Sequence, residues 1–174
     1  MLECAYPYCL VQKEEGDGDG LKQILLYHFK STKSKLMYMV RVEVYTYNVY
    51  AVKFYLKKHS HSKNKYRLMA NTYEPRRIIN TCINIMLEIF HKNPNASFGF
   101  IGANGLEENV TNTKRYRVYS RIIATYFSDK YFYHKENIGK SAYILVNKKA
   151  LSENPNLISQ IEKFFIDQYE YFDD

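Results

Sequence analysis

"LMYMVRVEVYTYNVYAVKFYL", residues 36–56, decides the fold. Val40, Val42 and Val44 alternate with Arg41 and Glu43. A period of two belongs to a strand, whose side chains point alternately to the two sides of a sheet. Past a turn near Asn48, Val52 and Phe54 alternate with Lys53 and Tyr55. Two such runs joined by a short break predict a β-hairpin. Valine and tyrosine suit its pleated, half-buried surface.

Towards the start, "EEGDGDG" at 14–20 is a turn, because Gly supplies positive φ and Asp bonds its own backbone. Its flanks, "YPYCLVQ" and "LKQILLYHF", read as two more strands. The turn looks like part of a calcium loop, but no Glu follows at the required offset and the flanks are not helical. No metal is assigned to it.

After the hairpin comes the polar basic loop "KKHSHSKNK" at 57–65, and "NKYRLMAN" is expected to add a strand. In "PRRIINTCINIMLEIFHK", residues 75–92, Ile78, Ile79, Cys82, Ile83, Met86, Ile89 and Phe90 recur every three or four positions. That spacing predicts a helix with a wide apolar stripe, opened by Pro75 and ended by Asn93-Pro94. "ASFGFIG" predicts a short buried strand, and a second helix is expected from about Thr113. On it Tyr116, Tyr119, Ile123, Tyr126 and Phe127 share one face. "SAYILVNKK" reads as a further strand, and a last helix opens at Asn154-Pro155 with Leu157, Ile158, Ile161, Phe164, Phe165 and Tyr169 as its stripe. The order implies a single α+β domain over residues 1–174, a mainly antiparallel sheet covered on one face by about three helices.

Composition agrees with a globular chain: 174 residues, 46% hydrophobic and 25% charged. Tyrosine is abundant, with 18 Tyr and no Trp, which suits half-buried strands and interfaces. Three cysteines, Cys4, Cys9 and Cys82, lack metal-ligand spacing, and an odd count without a signal peptide points to reduced thiols in the cytoplasm. No apolar run is long enough for a membrane span.

The formal net charge is +7. From Lys53 to Arg77 eight basic residues face one acid, Glu74, whereas the end, "DQYEYFDD", is acidic. Opposite poles on a small domain favour self-association, such as a homodimer, or simply meet solvent. Lys57, Lys58, His59, His61, Lys63, Lys65 and Arg67 form the candidate nucleic-acid-binding segment, since clustered cations track phosphates and interleaved tyrosines stack on bases. Lys114, Arg115, Arg117 and Arg121 form a candidate anion site, because "GANGLEEN" precedes a helix start with free N–H groups. Alternatively these cations face an acidic segment of the same chain, through Asp167, Glu170 or Asp173.

His59 and His61 would share a face on a strand and could serve as an acid–base pair in a metal-independent ribonuclease. No nucleophile elbow, paired carboxylates or acid-rich strand ends support another catalytic class. No catalytic residue, metal or cofactor is assigned, and a non-enzymatic role is favoured.

The run "FGFIGANGLEENVTNTKRYRVYSR", residues 98–121, resembles uncharacterised families of small bacterial proteins that carry F-x-F-x-G, a short loop, and a helix opening with basic residues and R-x-Y. The resemblance implies a shared fold and a bacterial, mobile-element or accessory-gene setting. It carries over no activity. Three functions stay open: a basic accessory protein binding nucleic acid or another phosphate-rich partner, a protein–protein module in a defence or antitoxin-like setting with an acidic partner, and a small ribonuclease-like toxin.

Overall fold

Four antiparallel strands come first: Tyr8–Glu15 (β1), Leu21–Lys30 (β2), Met37–Tyr45 (β3) and Val49–Leu56 (β4). They are seen in a computed structural model that describes residues 1–68, 73–103 and 105–168. The expected hairpin is β3–β4, with Val42 opposite Val52 and Val40 opposite Phe54. Its turn is Thr46–Asn48, where Tyr47 and Asn48 take the left-handed backbone.

The chain then crosses the sheet through Pro75–Lys92 (α1) and returns in Ser97–Ile101 (β5), parallel to β4. A parallel neighbour requires such a crossover. Lys114–Tyr126 (α2), Phe132–Asn137 (β6) and Ala142–Asn147 (β7) follow, and β7 pairs antiparallel with both β5 and β6. Lys148–Glu153 (α3) and Leu157–Gln168 (α4) close the described chain. The seven strands lie in the order β1-β2-β3-β4-β5-β7-β6. The fold is α+β, and no helix among the described residues is long and apolar enough to cross a membrane.

One expectation is overturned: the helices do not all cover one face. Against α1 and α2 pack Val40, Val42, Val52, Phe98 and Leu145. On the opposite face, Leu157, Ile161 and Phe165 of α4 pack on Tyr45, Val49, Ala51, Ile144 and Val146. The cause is visible in "AYILVN", which is buried at every position. Tyr143 and Leu145 face one core while Ile144 and Val146 face the other. An unbroken apolar run marks a strand covered on both sides. Gly99 makes room for the second layer, since a Cβ there would lie 2.3 Å from the Phe165 ring.

The predicted stripe of α1 is core, with Ile83 1% and Met86 0% exposed. The helix is buried on a second side as well, at Asn80, Thr81 and Asn84. Residues 2–6 lie across it there. The Leu2 N–H donates to Asn84 Oδ1 at 2.8 Å, the Tyr6 N–H to Thr81 Oγ1 at 2.8 Å, and Asn80 Nδ2 to the Cys4 carbonyl at 3.1 Å. Thr81, Asn84 and the Asn80 Nδ2 group are thereby paired with backbone, while Asn80 Oδ1 has no partner among the described residues.

Two other readings change. Residues 64–68 are not a strand but a turn, in which the Arg67 and Leu68 N–H groups bond the Asn64 carbonyl, and residues 69–71 of that expected strand lie outside the described residues. The last helix starts at Leu157, and before it α3 is capped by Asn147, whose Oδ1 accepts from the N–H groups of Lys149 and Ala150.

Candidate nucleic-acid interface

The end of β5 and the start of α2 are in close contact. A Cβ on Gly102 would lie 2.5 Å from the Tyr116 backbone nitrogen, so only glycine lets the helix start pass there. Thr113 caps α2 by accepting from the Tyr116 N–H at 3.1 Å. Tyr116, Ile123 and Phe127 are buried, as their spacing predicts, and Lys114, Arg117 and Arg121 are exposed.

Of the N–H groups expected to hold an anion at this helix start, that of Lys114 already holds one, shared with the loop N–H of Gly105. Glu108 accepts from the Lys114 N–H at 2.8 Å and from the Gly105 N–H at 2.9 Å. The Gly105 bond first, then the Lys114 bond, keeps the Glu108 carboxyl below its ordinary value. A side chain of the chain itself therefore stands where a phosphate oxygen would stand.

Arg115 does not face outward with its neighbours. Its half-buried guanidinium donates to the Tyr66 carbonyl and, at 2.9 Å, to the Leu68 carbonyl. Arg67 reaches the other way, to the carbonyls of Gly105 and Leu106 at 3.4 and 3.5 Å. These crossed arginines clasp the 57–68 loop to the loop before α2. Two basic segments separated by a helix and a strand thus become one surface.

Within the loop, Lys57, Lys58, His61 and Lys63 are exposed, and Lys65 lies 4.6 Å over the Tyr55 ring. His59 is half-buried, its Nδ1 without a partner among the described residues. His59 closes a 3₁₀ turn and His61 lies just past it, so they do not share a strand face, which removes the geometric basis of an acid–base pair. Arg117 bonds the Asn112 carbonyl, and the Arg121 side chain has no polar partner among the described residues. Asp167 forms no ion pair with either arginine, and Glu170 and Asp173 lie outside the described residues.

Of the wider stretch 53–77, Lys53 adjoins the loop: its ammonium lies 5.6 Å over the Tyr66 ring and pairs with buried Glu43, which also bonds Tyr45. Burial lowers the Lys53 ammonium, and Glu43 opposes the shift. Arg77 sits 4.3 Å over the Tyr6 ring.

The charge is concentrated. Segments 57–68 and 105–121 carry nine basic and two acidic residues, a surplus equal to the chain's formal +7. The remaining positions sum to zero only with Glu170, Asp173 and Asp174, which lie outside the described residues; the described remainder carries 16 basic and 13 acidic residues, so the two clasped segments are the densest cationic part of the surface.

Beside it, between the starts of α1 and α2, opens a groove of about 260 Å³. Phe54, Tyr73, Val118 and Tyr119 line it, with Lys114, Arg115 and Glu74 among its polar walls. Glu74 is 6% exposed and accepts from Tyr6 at 2.5 Å, Ser31 at 2.8 Å and Ser34 at 2.9 Å.

Sequence reading passed over a second polar cluster. His134 Nδ1 lies 2.6 Å from the Tyr143 hydroxyl, and its Nε2 is 3.4 Å from the Asp129 carboxylate. Tyr116 donates to Glu136 at 2.9 Å alongside. Burial, then Glu136 and Asp129, pushes the Tyr143 hydroxyl up to about 12. These residues come from one hairpin and α2, with no tell-tale spacing. Among the described residues, no three His, Cys, Asp or Glu side chains converge as a metal site needs. No protein-family model, curated protein or solved structure matches this chain.

Proposed function

We propose that the protein binds nucleic acid through the surface formed by the 57–68 loop and the exposed side of α2. The observation that carries this reading is that nine basic and two acidic residues are gathered on these two clasped segments. Lys57, Lys58, Lys63, Lys114, Arg117 and Arg121 are the phosphate contacts, being exposed. Such contacts release counterions, so affinity falls steeply with salt. The test is fluorescence anisotropy of a labelled oligonucleotide across a salt series. Charge reversal at Lys57, Lys58 and Lys63 is expected to weaken binding and flatten the salt slope while the melting temperature holds. No binding at about 50 mM salt, the low end of the range where phosphate contacts are strong, would sink the reading.

A second reading, an acidic protein partner, draws on Glu108. A carboxylate of the chain itself docks at the start of α2, which supports an affinity of the surrounding cations for acidic side chains. Competition separates the two: an acidic polypeptide that displaces the oligonucleotide only at charge-matched excess favours nucleic acid.

A further inference from the structure

We infer that the groove between the starts of α1 and α2 receives one unpaired nucleotide of a strand held on the cationic surface, which makes single-stranded nucleic acid the preferred partner. The inference rests on the reading above and adds a site to it.

Three features of the groove agree. The first is Tyr73 at its rim. The residue is 90% exposed and its backbone sits at φ 53. A large aromatic both exposed and in the left-handed region runs against burial and backbone preference together. Such outliers gather at binding sites, where something other than local comfort holds them. Lys33 holds this one from outside, its ammonium 3.3 Å from the Tyr73 carbonyl. The ring is free to stack on a base, and Phe54 and Tyr119 supply aromatic surface further in.

The second is polarity. Lys114 contributes an exposed cation to the groove wall, whereas Arg115 is held by the Tyr66 and Leu68 carbonyls and the buried Glu74 carboxylate is occupied by Tyr6, Ser31 and Ser34. The rest of the lining is largely apolar and aromatic, with Tyr38, Phe54, Leu56, Ile78 and Tyr119. A nucleotide matches that pairing, with a flat ring for the apolar wall and a phosphate for the lysine.

The third is size and access. At about 260 Å³ the space is smaller than a typical drug-sized site of roughly 300–1,000 Å³, which favours a single small ligand group over a larger one. A base stacked inside a duplex does not reach such a site, while an unpaired base does so without the cost of flipping.

The test compares equal-length single-stranded and duplex DNA by anisotropy at one salt concentration. The wild type, Tyr73→Ala and the Lys57→Glu/Lys58→Glu pair are measured. The wild type is expected to bind the single strand more tightly. Tyr73→Ala is expected to lose about tenfold on the single strand, in the range of one base–aromatic stack, and to abolish the preference. Because the ring is exposed, its melting temperature stays at the wild-type value. The lysine pair is expected to weaken both forms and keep the preference. Equal wild-type affinity for the two forms, or a preference that survives Tyr73→Ala, overturns the nucleotide site and leaves the cationic surface standing. No binding of either form removes both.

Discussion

At the residue scale, Glu108 and Cys82 make opposite use of their surroundings. Glu108 is held ionised by two backbone N–H groups. Its folded value is depressed, so the stabilisation is fully present above the ordinary 4.5 and is lost as pH falls through the lower folded value. The stability difference between wild type and Glu108→Gln, measured by urea unfolding, is therefore expected to shrink below about pH 4.5. A difference constant with pH would show that the charge is not what caps α2. Cys82 is 4% exposed, and burial pushes its thiol up to about 12. Cys4 and Cys9 are exposed. A thiol reagent at neutral pH is expected to modify those two in the native protein and to reach Cys82 only in denaturant. Rapid modification of all three would contradict the packing of α1. What the sequence showed of the site divides along the same line. Exposed cations were legible from charge spacing alone. Arg115 was not, because nothing in its neighbours tells an inward arginine from an outward one. Glu74 was hidden for another reason: its hydroxyl partners Tyr6, Ser31 and Ser34 lie 68, 43 and 40 positions away.

At the element scale, α1 and α2 were readable because each buries an apolar stripe of helical period. Ile83 tests the first. It is 1% exposed, so Ile83→Ala is expected to cost on the order of 2–5 kcal/mol in denaturant unfolding. A variant that unfolds like wild type would mean that α1 leaves the sheet uncovered. On α2, Arg117 and Arg121 are exposed, and replacing either with Ala is expected to change stability by less than about 0.5 kcal/mol. A larger loss would place them in the fold rather than on the proposed surface. The elements that escaped sequence reading are short or irregular. Strand β6, "FYHKEN", has a half-exposed pattern without clean alternation. Helix α3 spans 6 residues, too few for a stripe to declare itself. Residues 64–68 have a strand-like composition, but their backbone is drawn into a turn that Arg115 grips.

At the scale of the whole molecule, two cores share one sheet, and the second was the harder to foresee. The apolar run of β7 announced a strand but not which helix would cover its far side. Gly99 gives the test. Gly99→Ala puts a methyl into the Phe165 ring and is expected to cost about 1–3 kcal/mol, as overpacking does. Gly139→Ala, whose methyl would meet only the Asn137 side chain at 3.5 Å, serves as the mild control. Equal melting temperatures for the two variants would mean that α4 does not press on β5. The segment crossing α1 has a consequence in time. Its bonds join residues 75 to 82 positions apart, from Tyr6–Thr81 to Leu2–Asn84. Four strands of the sheet are synthesised before α1 exists, and a ribosome adding about 5–20 residues per second leaves the opening residues without their partners for several seconds. The meander β1–β4 pairs neighbour with neighbour and is free to form early. Closure over α1 comes afterwards, so the first residues made stay unfastened while the meander forms, although their partners appear before the second half of the sheet is made.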